Sequence, residues 1–569
     1  MSSPENTQRV PESPILMFSK VDPLVKSERE IKQAEIYKAI VKMPELNTIP
    51  EAERLEEDEE FAKLVPDDNE RFTVEKCFHK IGDDGKYQRS ILYTAILSLI
   101  AGGMISFSVN FMAADPTFQC PVPKKPGQYI ECPEGTACRT PGYKYYFKFD
   151  SWAKSDKLYC ERRHIRNQGK VISFVVNAVT CLLLLNVSDI LGRKFVVCMN
   201  SILIIVALTG AYFYKDYLVR MFLIGIAFGS EGDFIPLFIF LMAEATSSKA
   251  KLRSIISPAI SMAFCSGFVL INILSFFFQD ATTLIRSMIV CMCLLLFPAF
   301  IFLKESPVWL THKGHISRAI EILKEINFIN TKSTRLELYI IKLGERLEEI
   351  HKEKINSSRA VGGSYCDRLC TVFTSREILR PLIILSLITC STYSILYAVF
   401  SQSQDLGFHT FQLNGIFFGI NQILGFIAVM PVISTSPRRK SMLYIQSALI
   451  ACAALLLILS YFKKDPIAQF FSGFISNFMI SFIMAMYFSF MNLVNSESFL
   501  PEYKGICVGF ILFCGKLFGS LSPVIAHWCR ERHLHILVGC SVPLIPAMLG
   551  TYFLRETHIP GNAASMPDH

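Results

Sequence analysis

Charge is scarce in this chain: only 19% of its 569 residues are Asp, Glu, Lys or Arg. A soluble protein carries roughly 25%, so water is not the main solvent. Apolar residues fill the gap, at 51% of the total with 46 Phe. Catalytic signatures are missing as well. With no nucleophile elbow and no HExxH, neither a triad hydrolase nor a zinc peptidase is expected. The opening stretch, Met1–Lys20, lacks the apolar core of a signal peptide and is not an Arg-rich, acid-poor transit sequence. A disulfide scaffold is excluded because most of the 18 Cys lie inside apolar runs, where a thiol behaves as a small hydrophobe. The net charge of +8 is uneven: residues 1–85 hold 12 Lys/Arg against 20 Asp/Glu, a net of −8, which leaves +16 for residues 86–569. That positive charge sits in short clusters between apolar runs, which excludes a nucleic-acid binder.

A bilayer-spanning helix needs about 20 mostly apolar residues. Twelve runs meet that length, at about 90–113, 169–188, 195–213, 217–243, 255–278, 282–303, 380–400, 412–433, 441–462, 466–493, 505–527 and 534–554. They divide six and six around a charged segment at 304–379. The expected fold is therefore an all-α membrane protein with two six-helix halves, 86–303 and 380–558. An acidic arm (1–85) precedes them, and a short tail (559–569) follows. With both ends cytoplasmic, the short inner loops hold Arg193, Lys194, Lys249, Lys251, Arg253, Arg438, Arg439, Lys440 and Lys504. The outer ones hold Lys215, Lys463, Lys464, Arg530 and Arg532. Nine against five favours that orientation.

Within the arm, 26–43 reads as a short helix and 51–60 as an acidic run, a composition suited to a solvated tail or to a protein partner. In the central segment Ile316, Ala319, Ile320, Leu323 and Ile326 make one helical stripe. Leu336, Tyr339, Ile340, Leu343, Leu347 and Ile350 make another. These are amphipathic helices lying under the bundle.

Two motifs are decoys. Gly509–Lys516 resembles a phosphate loop, but its glycine spacing is wrong and Leu517 replaces the required hydroxyl. Cys529, His533 and His535 lack a fourth metal ligand. No cofactor or metal is expected.

The remaining motifs are ordered along the chain. Gly82-Asp-Asp-Gly85-Lys-Tyr87-Gln88 precedes the first span, and Pro116-Thr-Phe118-Gln-Cys120 follows it. Leu158-Tyr-Cys160 closes the long loop, Glu305-Ser-Pro-Val-Trp-Leu310 follows span six, and Leu554-Arg-Glu-Thr557 ends the last span. At these places the chain resembles the major facilitator superfamily, and within it the organic-ion solute carriers (organic cation, anion and carnitine transporters), from about residue 72 to 558. The resemblance implies a secondary transporter that binds a small organic ion near the midplane and rocks its two halves around it. Its partners are then that solute and membrane lipid, with no enzyme chemistry.

Between spans two and three, Asp189-Ile-Leu-Gly192-Arg193-Lys194 looks like the superfamily's D-x-x-G-R-[RK] turn. A carboxylate at one helix end can face another helix's N-terminal dipole, and the cations can reach carboxylates across the bundle. By resemblance Glu244, Arg253 and Glu305 are the partners in this cytoplasmic latch. The second-half copy, Ser434-Thr-Ser-Pro437-Arg438-Arg439, has lost both Asp and Gly, and Glu497 opens a shifted relative of E-L-Y-P-x-x-x-R. Such erosion motivates a second expectation: a transport-inactive structural subunit of a larger membrane assembly.

An ionisable residue at bilayer depth is a functional candidate by default. Glu231 and Asp233 lie within span four and Lys516 within span eleven. In the resembling family the span-eleven position faces the cavity, with a base there in anion carriers. Gln422 in span eight replaces an acid common in that family. Lys516 and Gln422 thus lean towards an organic anion, against the pull of Glu231 and Asp233. The 114–168 loop holds Cys120, Cys132, Cys138 and Cys160, which suggests two disulfides of open connectivity and an oxidising compartment. It has no N-x-[ST] sequon. The family resemblance implies the plasma membrane; the bare loop leaves an organelle such as the mitochondrial inner membrane open.

Overall fold

The computed structural model describes residues 74–556, apart from 115, 123–127, 133, 148, 248–250, 358–364, 403–410, 463–464 and 533. The chain divides into Met1–Arg71 and Phe72–His569, and the account below concerns the second unit. The expected 26–43 helix, the acidic run at 51–60, most of the 1–85 arm and the 559–569 tail lie outside the described residues.

Helix α1 (Val74–Ile81) leads into α2 (Lys86–Met112), the first long apolar helix. After the outer loop come α3 (Arg163–Leu191), α4 (Arg193–Phe213), α5 (Tyr217–Gly232), α6 (Phe234–Glu244), α7 (Lys251–Phe277) and α8 (Ala281–Phe302). The linker folds as α9 (Pro307–His312), α10 (Ile316–Asn330), α11 (Thr334–Ser357) and α12 (Tyr365–Thr374). The second half is α13 (Arg376–Gln402), α14 (Phe411–Thr435), α15 (Arg438–Tyr461), α16 (Pro466–Phe474), α17 (Ile480–Glu497), α18 (Lys504–Gly519), α19 (Ser522–Glu531), α20 (Ile536–Ser541) and α21 (Leu544–Tyr552). The ends of the bundle are called below the loop side, which carries residues 116–162, and the linker side, which carries α9–α12.

Of the twelve runs that read as spans, ten fold among the described residues as helices long and apolar enough to cross a membrane. The last two are interrupted rather than continuous. Span eleven breaks between α18 and α19, and span twelve between α20 and α21. The cause is proline, which has no N–H for the carbonyl four residues back: Pro523 cannot serve Gly519, nor Pro543 Gly539. Span four is interrupted for the same reason. Pro236 leaves the Gly232 carbonyl without its helical donor, and the chain steps out of helix at Asp233 between α5 and α6. Between α16 and α17 a π turn, Ile475–Met479, widens the helix. The Asn421 amide on α14 donates to the Asn477 and Phe478 carbonyls beside that turn.

Packing between α2 and α7 is backbone on backbone. A Cβ on Gly103 would overlap the Phe264 carbonyl, and one on Gly267 would overlap that of Ile100. Small residues permit this approach where lipid supplies no hydrophobic drive between helices. On the loop side, β1 (Pro116–Pro121) pairs antiparallel with both β2 (Tyr129–Cys132) and β3 (Lys144–Phe147). Two disulfides close this module, Cys120–Cys132 and Cys138–Cys160. Buried Arg166 seats it on α3, donating to Glu134 at 2.8 Å and to the Leu158 carbonyl at 2.9 Å.

On the linker side the two stripes bury as expected, with Ile316, Ala319, Leu323 and Ile326 of α10 and Tyr339, Ile340 and Leu343 of α11 in the core. The entry motif explains how α10 docks. Asn330 accepts the Tyr87 N–H at 2.9 Å and donates to Gln88, whose own amide donates to the Ala245 carbonyl at 2.9 Å. Gly85 leaves the space Asn330 fills, since a Cβ there would overlap its amide.

Candidate functional site

Three ionisable side chains meet in the bundle interior, each almost wholly buried: Lys516 at 3% exposure, Glu231 at 2% and Asp233 at 0%. The break at Asp233 lets two carboxylates only two residues apart face different neighbours. Glu231 accepts the Ser106 hydroxyl of α2. Asp233 accepts the Cys181 thiol of α3 at 2.8 Å and the Asn200 amide of α4 at 3.4 Å. Gly232 between them is the slot for the lysine, because a Cβ there would collide with the Lys516 ammonium.

Among the described residues Lys516 completes no ion pair. Its Nζ donates to Oδ1 of Asn177 on α3 at 2.8 Å and lies 5.8 Å from the Phe228 ring centroid. Among the described residues no ion pair joins it to either carboxylate. One carboxylate oxygen, Glu231 Oε2, and the Asn177 amide nitrogen are buried with no hydrogen-bond partner. Aromatic rings frame the cluster: Phe174 lies 5.3 Å from Tyr397 and 6.0 Å from Phe228, and Tyr393 lies 5.8 Å from Tyr397. Gln422 is placed elsewhere. It is buried on the α7–α14 seam, with Oε1 3.5 Å from the Cys265 thiol and Nε2 unpartnered.

Towards the loop side, Phe107 of α2 packs 3.9 Å from Phe268 of α7 and 4.5 Å from Phe400 of α13, which in turn lies 5.6 Å from Phe418 of α14. These four rings join the two halves.

The linker side is held by charge. Arg193 is wholly buried, 3.1 Å from Asp189 and 3.4 Å from Glu244, and donates to the Pro501 carbonyl across the bundle at 3.1 Å. Asp189 accepts the Ile506 N–H, in the first turn of α18, at 3.1 Å. Gly505 makes that approach possible, since its Cβ would stand 2.6 Å from the carboxylate. Glu305 accepts the backbone N–H groups of Arg193 at 2.8 Å and Lys194 at 3.3 Å, capping α4. Gly192 serves this turn with φ +106°, a backbone state that L side chains rarely adopt. Trp309 adds a bond from its indole to the Asp189 carbonyl. Arg253 is not joined to Glu244 by any ion pair among the described residues; Arg193 takes that carboxylate instead.

The second-half copy keeps more than its sequence suggests. Arg438 is buried, 3.6 Å from Glu497, and donates to the Ser254 hydroxyl of the first half at 3.1 Å. The Arg439 N–H reaches Glu556 at 3.2 Å, mirroring the cap of Glu305 on Arg193. Ser434, which stands where Asp189 does, donates within its own helix to the Pro431 carbonyl. Sequence reasoning missed Glu556 as the mirror of Glu305, although both follow a last span of a half. It also missed Asn177, Ser106 and Cys181, neutral residues that carry no signal alone.

The entry motif has its own charge. Asp83 accepts the Ser247 N–H at 2.7 Å and its hydroxyl at 2.6 Å, and lies 3.1 Å from His79. Partial burial pushes its carboxyl up, but the Ser247 and His79 hydrogen bonds outweigh that and hold it below its ordinary 3.8.

A family model described as sugar (and other) transporter matches residues 145–553. No curated relative matches the chain. Among solved structures, the proton:xylose symporter XylE bound to 6-bromo-6-deoxy-D-glucose superposes with a TM-score of 0.60 at 15% identity, over 83% of this chain and 96% of that one. The xylose transporter XylE from E. coli in a partially occluded inward-open conformation gives 0.53 at 14% identity, over 82% and 98%. The human organic anion transporter MFSD10 gives 0.50 at 16% identity, over 82% and 99%. At such identities the likeness speaks for the fold alone.

Proposed function

The chain belongs to the sugar (and other) transporter family, a multi-pass membrane carrier of the major facilitator superfamily, and we propose that its solute is a small organic anion. The supporting observation is the pairing of Lys516. The buried ammonium donates to a neutral amide and makes no ion pair among the described residues with Glu231 or Asp233, which act on it at longer range; a solute carboxylate or sulfonate beside it would offset the cost of burial. Phe174, Phe228, Tyr393 and Tyr397 offer apolar contact for the solute's body. In this proposal Asp189, Gly192, Arg193, Lys194, Glu244 and Glu305 form the linker-side gate, with Arg438, Arg439 and Glu497 as its second copy. The family resemblance supports a plasma-membrane address, and the sequon-free loop supports an organelle.

A second reading, a transport-inactive subunit of a larger assembly, is favoured by one observation. The rings of Phe107, Phe268, Phe400 and Phe418 and the Arg193 network both join the halves, contacts that a fixed scaffold would keep. Residues 1–85 would then dock the partner.

Uptake into proteoliposomes separates the readings. Aryl carboxylates and aryl sulfonates should enter and compete with each other, while quaternary ammonium ions and hexoses should not. Uptake of none of these classes, by protein that remains monodisperse, would favour the structural subunit.

A further inference from the structure

We infer that Asn177 is the second donor of the anion site, so that one oxygen of a solute carboxylate takes Lys516 and the other takes the Asn177 amide. This rests on the anion reading and deepens it, from a lone cation to a two-point clamp that favours a carboxylate over an anion with a single oxygen. Asn177 is wholly buried on α3, between Phe174 and Cys181 on the same helix face. A lysine ammonium only donates, so the atom facing Lys516 at 2.8 Å is Oδ1, and Nδ2 is turned away from it. That Nδ2 is buried with no hydrogen-bond partner. A buried donor left without an acceptor carries the full cost of its desolvation, and a ligand oxygen there removes the cost.

The acids nearby take their donors elsewhere. Glu231 accepts the Ser106 hydroxyl, and Asp233 accepts the Cys181 thiol and the Asn200 amide. Neither joins Lys516 in an ion pair among the described residues, though both act on it at longer range. Two carboxyl groups thus stand against one ammonium, so net charge does not draw an anion in, and donors at contact distance must hold it. The Tyr397 hydroxyl of α13 approaches the Asn177 amide but closes no hydrogen bond on it, and its ring lies 5.3 Å from that of Phe174. An aryl group on the solute would meet these rings while its carboxylate meets the two donors. Lys516 and Asn177 belong to opposite halves, on α18 and α3, so a carboxylate accepting from both is held by both halves at once.

The test measures binding to the full chain in detergent by titration calorimetry. Its two probes are an aryl carboxylate and an aryl phenolate, whose single oxygen cannot take both donors. Asn177→Ala should weaken the carboxylate about tenfold, the order of one lost hydrogen bond to a charged group, and leave the phenolate nearly unchanged. Should that variant fail to fold, Asn177→Ser decides in its place: it keeps an oxygen for Lys516 and loses the amide N–H, with the same change in preference expected. A variant that keeps the parent's carboxylate affinity, or weakens both probes equally, overturns the clamp. A parent protein that binds neither probe, or a Lys516→Ala variant that binds both as well as the parent, overturns the anion reading beneath it instead.

Discussion

Lys516 reaches across the interface between the halves and donates to Asn177 rather than to the carboxylates on either side of Gly232. A lysine locked to a buried acid would, on removal, strand that acid at a cost of about 3–5 kcal/mol. With a neutral hydrogen-bond partner and no ion pair among the described residues, the loss is the Asn177 bond, about 1–3 kcal/mol, plus the longer-range attraction of Glu231 and Asp233, less than a locked pair would lose. Lys516→Ala is therefore expected to stay folded and lose anion uptake, and Lys516→Asp to lose it as fully. Uptake beside thermal unfolding in detergent checks both. Stable variants that import anions as well as the parent would remove Lys516 from the site.

Arg193 and Arg438 occupy equivalent turns but unequal surroundings. Arg193 faces two buried carboxylates, whereas Arg438 pairs with Glu497, which is partly exposed, and feels Glu556 only at longer range. Arg193→Ala should cost about 3–5 kcal/mol by leaving Asp189 and Glu244 without their cation, and Arg438→Ala distinctly less. Chemical denaturation of the two variants side by side measures the difference; equal losses would contradict the asymmetry.

The loop disulfides enclose short segments, with sequence separations of 12 and 22. Intact-mass alkylation should leave Cys120, Cys132, Cys138 and Cys160 unlabelled until reductant is added. Replacing Cys138 and Cys160 together by Ser should lower stability by about 2–4 kcal/mol. Labelling of all four without reductant would refute the pairing.

Asp83 gives a pH dependence of known sign. Its folded carboxyl titrates below its ordinary 3.8, so its contribution is present above the unfolded value and is lost as pH falls through the folded one. Cooling of the melting transition between about pH 5 and about pH 3 should be smaller in Asp83→Asn than in the parent protein. An identical slope in both would show that the Ser247 contacts carry no linked stability.

Hydropathy made the helices legible because a bilayer imposes one length on all of them, and the two linker stripes were legible because their period is helical. The interruptions at Asp233, Ser520 and Val542 were not read, although Pro236, Pro523 and Pro543 announced them; apolar averaging hides a single missing N–H. The carboxylate–lysine cluster was visible because charge at membrane depth is rare. Its partners Asn177, Ser106 and Cys181 were not, since a neutral polar residue on a helix looks the same whether it meets a lysine or its own backbone. The disulfide connectivity needed the register of β1 against β2, which places Cys120 opposite Ile130 and so diagonal to Cys132 on the same face. The resemblance placed Glu244, Arg253 and Glu305 in one network without saying which cation meets which acid; Glu244 lies 3.4 Å from Arg193.

The two linker-side turns also set how the halves can part. Along α3 and α18 the closure is ionic, with Asp189 on the first turn of α18 and Arg193 on the Pro501 carbonyl. Along α7 it rests on hydroxyls: Ser254 accepting from Arg438, and Ser257 donating to the Ser489 carbonyl at 2.8 Å. Hydroxyl bonds exchange readily with water, while a buried guanidinium does not surrender its carboxylates without a replacement. In the proposed carrier the α7 seam, closed on hydroxyls, would be the first line on this side to admit water, and the ionic α3–α18 line the last.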